Sequence, residues 1–379
     1  MWRFESARVH KNNCLHNNST FFVFLCKKRI FVKYHTENHM SAWQANTFSN
    51  KEINEAGNIL LNGDAEPASK YLKALNTIES WRASHAYPLL VFQNYLRQRA
   101  KEIDSQAIVA QRLKKRSSIL SKLERCPKMQ LSRMQDIGGC RVILKDIKSV
   151  RELCDTVRNS RRRHILKNEK DYISNPKASG YRGVHLVYQY VSESNQQFKN
   201  ILLEIQIRTL LQHLWATSVE TVGVFVQHSL KSSQGPDTWL DFFKIVSSLF
   251  AMEEQCCPVP DMPESKDELV AALKNKCEEC NIIPQLRAYN VVADHISNNN
   301  RRDYYYVLIL DYDSRKVTIY SFPKNDIKGA TSLYGSYEGQ DHIDAVLVSV
   351  DSISTLRKAY PNYFLNVKEF LRKIEGYLK

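Results

Sequence analysis

Four short stretches of this 379-residue chain hold polar residue types at spacings suited to chemistry on a flat, anionic substrate. The loop "NPKASGYRGVHLVYQY", from Asn175 to Tyr190, gathers Lys177, Tyr181, Arg182 and His185. A turn needs only its glycines and proline. Two cations, an aromatic ring and an imidazole add the means to hold phosphate and to cover a ring. In "EIQIRT", strand alternation sets Glu204, Gln206 and Arg208 on one face and Leu203, Ile205 and Ile207 on the other. A charged face on a central strand is costly unless it meets ligand, metal or counter-charge; the plain alternative is a half-exposed strand with a solvated face. "MQDIGGCRVIL" places Asp136 before a Gly-Gly turn that opens a strand carrying Arg141. An aspartate there suits a hard cation and equally an Asx turn. "QRLKKRSSILSKLER" strings Arg112, Lys114, Lys115, Arg116, Lys122 and Arg125 along a strand end and the next helix. With Ser117 or Ser118 as cap, that helix start is a phosphate seat, or else a solvated basic face.

The elements that must position these residues read as α+β. Apolar residues at three- and four-residue spacing predict helices between Lys51 and Ile103, the first ending at Gly63 as C-cap. Strands are expected over 107–116, 140–147, 184–191 and 200–209, with a helix over 149–160 and a hairpin turn at "SESNQQ". A helix follows over 210–228. Beyond the break "SSQGPDTW" come two more helices, the second with Ser265 as N-cap. Strand-like runs at 287–296, 303–313, 316–323 and 342–351 and a closing helix complete the chain. The domains are set at 1–39, 40–235, a helical connector at 236–257, and a smaller C-terminal domain at 258–379.

Composition bounds the function. The net charge of +14 favours an anionic partner: nucleotide, nucleic acid or membrane surface. Nine cysteines, an odd number in a long chain, form no secreted disulfide framework and point to a reducing, cytoplasmic setting. No run of 18 apolar residues exists, so no membrane helix is expected. Residues 1–39 hold four of the eleven histidines and show no period; either Met40 is the true start or this stretch is a poorly ordered extension. Cys277-x-x-Cys280 with Cys256 and Cys257 invites zinc, but the helical pattern around the pair leaves no knuckle loops.

The order of the four motifs carries more than each alone. Arg-x-Lys-x-x-x-Ser-Ile-x-x-Lys at 112–122, Asp-Ile-Gly-Gly-x-Arg at 136–141, Lys-x-x-Gly-Tyr-x-x-x-His at 177–185 and Glu-x-Gln-x-Arg at 204–208 together resemble the synthetase domain of the RelA/SpoT family over residues 85–225. The resemblance implies a mixed-sheet, nucleotidyltransferase-like core flanked by helices. It implies transfer of the β,γ-pyrophosphate of ATP to a ribose 3′-hydroxyl. Arg112, Lys114, Lys122 and Arg141 would hold ATP. Asp136 and Glu204 would be the catalytic pair and bind Mg²⁺, Glu204 also taking the hydroxyl proton. Tyr181 would stack on the acceptor base, Lys177, Arg182 and His185 would meet its phosphates, and Gln206 and Arg208 would order the site. Such a layout agrees with in-line phosphoryl chemistry, where screening and alignment do most of the work.

"AYPNYF" at 359–364 resembles the antitoxin region of fused single-chain members called CapRel, in which a Tyr-x-x-Tyr pair, here Tyr360 and Tyr363, closes the ATP site. That resemblance implies a toxic, autoinhibited enzyme modifying the 3′-CCA end of tRNA. A phage protein would release it through the C-terminal domain, an α/β regulatory module, zinc-finger-like but metal-free. The alternatives are a GDP/GTP pyrophosphokinase making (p)ppGpp and an inactive nucleotide or RNA sensor.

Overall fold

The computed structural model describes residues 24–26, 29–31, 43–63, 66–160, 163–225, 230, 235–290, 305–311, 316–323, 326–338, 340, 343–349 and 367–379. In chain order the elements begin with β1 (Phe24–Cys26), β2 (Arg29–Phe31), α1 (Asn50–Asn62), α2 (Ala68–Ala83), α3 (Ala86–Ile103), β3 (Ile108–Leu113), α4 (Arg116–Arg125), β4 (Gly138–Leu144) and α5 (Ile147–Arg158). They continue with β5 (Ile165–Asp171), β6 (Val184–Gln189), β7 (Leu202–Thr209), α6 (Leu210–Phe225), α7 (Asp237–Glu253), α8 (Lys266–Glu279) and α9 (Ile282–Asn290). The last are β8 (Tyr305–Asp311), β9 (Lys316–Phe322), α10 (Ile327–Tyr337), β10 (Ile343–Ser349) and α11 (Lys368–Leu378).

These elements form two units, each discontinuous in sequence. One comprises Met1–Ser84, Lys115–Ser132 and Arg301–Asp351; the other comprises His85–Lys114, Arg133–Asn300 and Ser352–Lys379.

In the second unit the strands run in the order β5-β6-β7-β4-β3. β4 and β7 are parallel, and the other neighbours are antiparallel. β7 is therefore central, as the motif demands. Its Leu203, Ile205 and Ile207 are buried with Cys140 and Val142 of β4, on the face where α3 packs. Gly138 is part of that packing: a Cβ on it would stand 2.7 Å from Leu203 Cδ2 and 3.1 Å from Leu89 Cδ1. Gly138 and Gly139 are thus the first two residues of β4 rather than a turn before it. A separate aromatic core joins the C-terminal helices, with Trp215, Phe242, Phe243, Phe250 and Phe370 buried together. Phe243 and Phe370 ring centroids lie 5.8 Å apart.

In the first unit, β10-β8-β9 are antiparallel neighbours, and α10 packs Ala330 and Tyr334 against Tyr305, Val307 and Ile309. Ser49 and Glu52 form a capping box at α1, and Gly63 closes that helix at φ 54°. β1 and β2 pair as a short antiparallel hairpin.

Three expectations change. The strand expected over 287–296 begins as helix: residues 287–290 lie in α9, where Pro284 sits in the first turn and Ile282 and Leu286 are both buried. β5 was not expected, because "ILKNEKD" does not alternate. It is an outer strand of its unit, largely exposed and bulged at Lys167, so no apolar face was needed. α10 was hidden by Gly329 and Gly335; Asp326 caps it by accepting the Gly329 N–H at 3.0 Å. Among the described residues, no helix is long and apolar enough to cross a membrane.

Candidate active site

The strand register of the second unit assembles one polar face from four strands. Glu204 of β7 lies opposite Gly139 of β4, and Gly139 lies opposite Arg112 of β3. Gln206 lies opposite both Arg141 of β4 and His185 of β6. Residues directly opposite share a face, so Arg112, Arg141, His185, Glu204, Gln206 and Arg208 are presented together. Gly139 leaves open space in this face: a Cβ there would meet only the Glu204 carbonyl oxygen, at 3.8 Å.

Glu204 is held from both sides. Gln206 Nε2 donates to Oε2 at 2.7 Å, and His185 Nδ1 lies 2.9 Å from Oε1. The other imidazole nitrogen, Nε2, lies 2.7 Å from Tyr181 Oη. Burial opposes ionisation of Glu204, as does Asp136 nearby. The His185 and Gln206 contacts outweigh both and hold the carboxyl below its ordinary range. Asp136 accepts from Lys114 Nζ at 2.7 Å, with both side chains partly exposed. Two carboxylates from neighbouring positions are the donor type Mg²⁺ takes, since it prefers one or two carboxylates with water and substrate phosphates. Among the described residues, no group of three or more His, Cys, Asp and Glu could form an all-protein metal cage.

Opposite this acidic pair the cations crowd. Arg208 is 1% exposed, and none of its guanidinium nitrogens has a hydrogen-bond partner. Burial first, then the charges of Arg141 and Arg112, push it down to about 9, while Tyr181 and Glu220 pull the other way. A buried guanidinium among like charges is stabilised by an anion brought to it.

The opening loop is closely packed: Tyr181 and Arg182 are both buried. Tyr181 is 3% exposed, and burial pushes its phenol up to about 12. Lys177 Nζ lies over two rings, 4.6 Å from the Tyr172 centroid and 5.2 Å from that of Tyr181. Arg182 is buried and donates to the carbonyls of Ile173, at 3.1 Å, and Cys257. Its guanidinium braces the loop.

Lys122 belongs to α4 in the first unit. The start of α4 is also corrected. Lys115 is the N-cap, two residues before the expected serines, with no side-chain cap. Instead Glu338 accepts the Arg116 N–H, and its carbonyl accepts Arg116 Nη2 at 2.7 Å. Arg82, 1% exposed, donates to Glu338 Oε2 and to Glu79 at 2.6 Å each, and to Tyr334 Oη at 2.8 Å. Burial opposes ionisation of Glu338, but Arg82 and Arg116 keep it below its ordinary range. Tyr360 and Tyr363 lie outside the described residues.

Residues 111–224 match the family model described as a region found in RelA / SpoT proteins. The chain is 37% identical over 127 residues to the GTP pyrophosphokinase YjbM of Bacillus subtilis (strain 168), covering 32% of this chain and 54% of that one. It is 32% identical over 111 residues to the GTP pyrophosphokinase YwaC of the same organism, covering 28% and 52%. The chain thus spans about half the length of these curated relatives. Among solved structures it resembles the small alarmone synthetase 1 of Bacillus subtilis bound to its product pppGpp, at 24% identity and TM-score 0.41, covering 47% of this chain and 92% of that one.

Proposed function

We propose that the chain is a pyrophosphokinase of the RelA/SpoT type. The observation that carries this reading is the joint face on which Arg112, Arg141 and Arg208 stand across from Glu204, with the Lys114–Asp136 pair beside them. The acceptor's 3′-oxygen attacks Pβ of ATP, the bond from Pβ to the Pα-bridging oxygen breaks, and AMP leaves. Glu204, ionised and oriented by His185 and Gln206, takes the hydroxyl proton. Arg112, Arg141, Arg208 and Lys114 neutralise the triphosphate, which a like-charged cluster welcomes. Asp136 and Glu204 would hold Mg²⁺, which supplies further charge neutralisation when bound.

For the acceptor, the names of the curated relatives favour a guanine nucleotide. The net charge of +14 favours a second acceptor, the 3′-CCA end of tRNA. The experiment is incubation with ATP labelled at the γ-phosphate and with GDP, GTP or deacylated tRNA. Label on guanine nucleotides supports the first acceptor. Label on tRNA that is prevented by periodate oxidation supports the second. No label on any acceptor would sink the proposal.

We also propose that the C-terminal segment holding Tyr360 and Tyr363 acts as a brake on transfer. Tyr360→Ala or Tyr363→Ala should raise toxicity in cells; harmless, inactive variants would remove this role. Release by a phage protein is the remaining part of this proposal, and toxicity in cells with and without infection tests it.

A further inference from the structure

The strap that leaves α7 carries two adjacent thiols that the proposed chemistry does not use. We propose that Cys256 and Cys257 form a modification site, closed to a vicinal disulfide by hydroperoxides, and that closure releases Arg182 and loosens the loop between β5 and β6. The effect on transfer rests on the pyrophosphokinase reading above; the disulfide itself does not.

The strap is fixed to α7 at both ends. Gln255 turns the chain off the helix at φ 57°, and the Cys256 N–H donates back to Ala251 O at 2.8 Å. Past Pro258, the Val259 N–H donates to Ser248 Oγ at 3.1 Å, and Val259 is buried. Between these anchors Cys257 is exposed and Cys256 is half-buried. The Cys256 thiol donates to Glu254 O at 3.6 Å. Burial, then Glu254, pushes that thiol up against the pull of Arg182 and Arg151. The exposed Cys257 therefore meets the oxidant, and Cys256 resolves it. The other thiols fit this role less well. Cys140, Cys154 and Cys277 are buried, and burial pushes them up to about 12, 12 and 11. Cys126 is exposed, but its chain neighbours are Arg125 and Pro127.

In the first step the Cys257 sulfur attacks the outer oxygen of the hydroperoxide. The O–O bond breaks, an alcohol or water leaves with the thiol's proton, and a sulfenic acid remains. The Cys256 sulfur then attacks the Cys257 sulfur. The S–O bond breaks, hydroxide leaves as water with the second thiol's proton, and the S–S bond forms. The hydroperoxide takes both electrons. Neighbouring Cα atoms stand about 3.8 Å apart, short of the usual disulfide span of about 4.4–6.8 Å. The ring is therefore strained and easily reduced, as a reversible disulfide must be.

Closing the ring shifts Cys257 Cα and with it the attached carbonyl, which is the acceptor of Arg182 Nη2. Arg182 is 3% exposed, its Nη1 donates to Ile173 O at 3.1 Å, and its Nε has no hydrogen-bond partner. Without the Cys257 carbonyl, the buried guanidinium keeps one acceptor. The loop relieves that cost by opening to water.

The test treats the full chain with hydrogen peroxide, removes the excess with catalase, and follows mass, amide exchange and transfer. The peptide spanning both cysteines should lose two hydrogens and regain them with dithiothreitol. Amide exchange over residues 172–182 should quicken, and transfer should fall, by about tenfold or more, the scale of one lost hydrogen bond to a charged group. Dithiothreitol should restore both. Cys257→Ser should match the reduced wild type and keep its transfer through the same treatment. Cys256→Ser, which lacks the resolving thiol, should carry Cys257 on to sulfinic acid. Thiols that stay unoxidised, a wild-type Cys257 that goes straight to sulfinic acid, or a disulfide that leaves loop exchange unchanged would each overturn the proposal. Quickened exchange with a closed disulfide, but no transfer in either state, would leave it standing and remove the pyrophosphokinase reading instead.

Discussion

His185 Nδ1 lies 2.9 Å from Glu204 Oε1, on neighbouring strands of one mixed sheet. If Nδ1 carries the proton, Nε2 is left to accept the Tyr181 hydroxyl. Glu204→Gln keeps the shape and removes the charge. Transfer should fall about 10²–10⁴-fold, the range of a lost general base. Steady-state kinetics at saturating ATP and acceptor measure it, and activity within tenfold of wild type would refute the role.

Asp171 nucleates the turn into the opening loop. It accepts from the Ile173 and Ser174 N–H groups at 2.9 and 3.2 Å, from Ser174 Oγ at 2.8 Å and from Arg151 at 2.7 Å. Burial opposes ionisation, but these donors hold its carboxyl below the ordinary range. A carboxyl depressed in the folded state contributes stability above its unfolded value, and loses that contribution as pH falls through the folded one. Asp171→Asn should therefore be destabilised by about 1–3 kcal/mol at pH 7. Urea titrations should show the gap to wild type closing as pH drops below the ordinary aspartate value of about 3.9. A gap independent of pH would contradict the assignment.

Gly138→Ala should destabilise by about 1–3 kcal/mol, the cost of overpacking. The added methyl would stand 2.7 Å from Leu203 Cδ2 and 3.1 Å from Leu89 Cδ1, two buried side chains that must repack to admit it. Thermal unfolding would reveal it; a neutral substitution would show that β4 can shift away from α3.

Arg82→Met should cost about 3–5 kcal/mol by stranding Glu338, a buried carboxylate. Adding Glu338→Leu removes the stranded charge. A double-mutant cycle should give a coupling of about 0.5–3 kcal/mol. Strict additivity would mean that the pair does not interact.

Much of the site was legible because strand alternation is rigid. Glu204, Gln206 and Arg208 share a face for the reason their spacing gave, and Arg112, Arg141 and His185 join them through the register. What spacing does not encode is tertiary. Tyr181 and Arg182 carry functional residue types, yet contacts with Trp215, His185 and the Cys257 carbonyl bury both. The seat at α4 could not be assigned from local sequence, since Glu338 lies 222 positions from Arg116. β5 and α10 escaped because exposure removed the apolar period from one, and two glycines weakened the helical signal of the other.

The transfer of a pyrophosphoryl rather than a phosphoryl group is the most direct point to measure. ATP labelled in the adenine ring, incubated with the chain and GDP, GTP or deacylated tRNA, should yield AMP in one-to-one proportion to modified acceptor. Both should fall together by about 10²–10⁴-fold in Glu204→Gln. Formation of ADP in place of AMP, or AMP without modified acceptor, would contradict attack of a ribose hydroxyl on Pβ at this face.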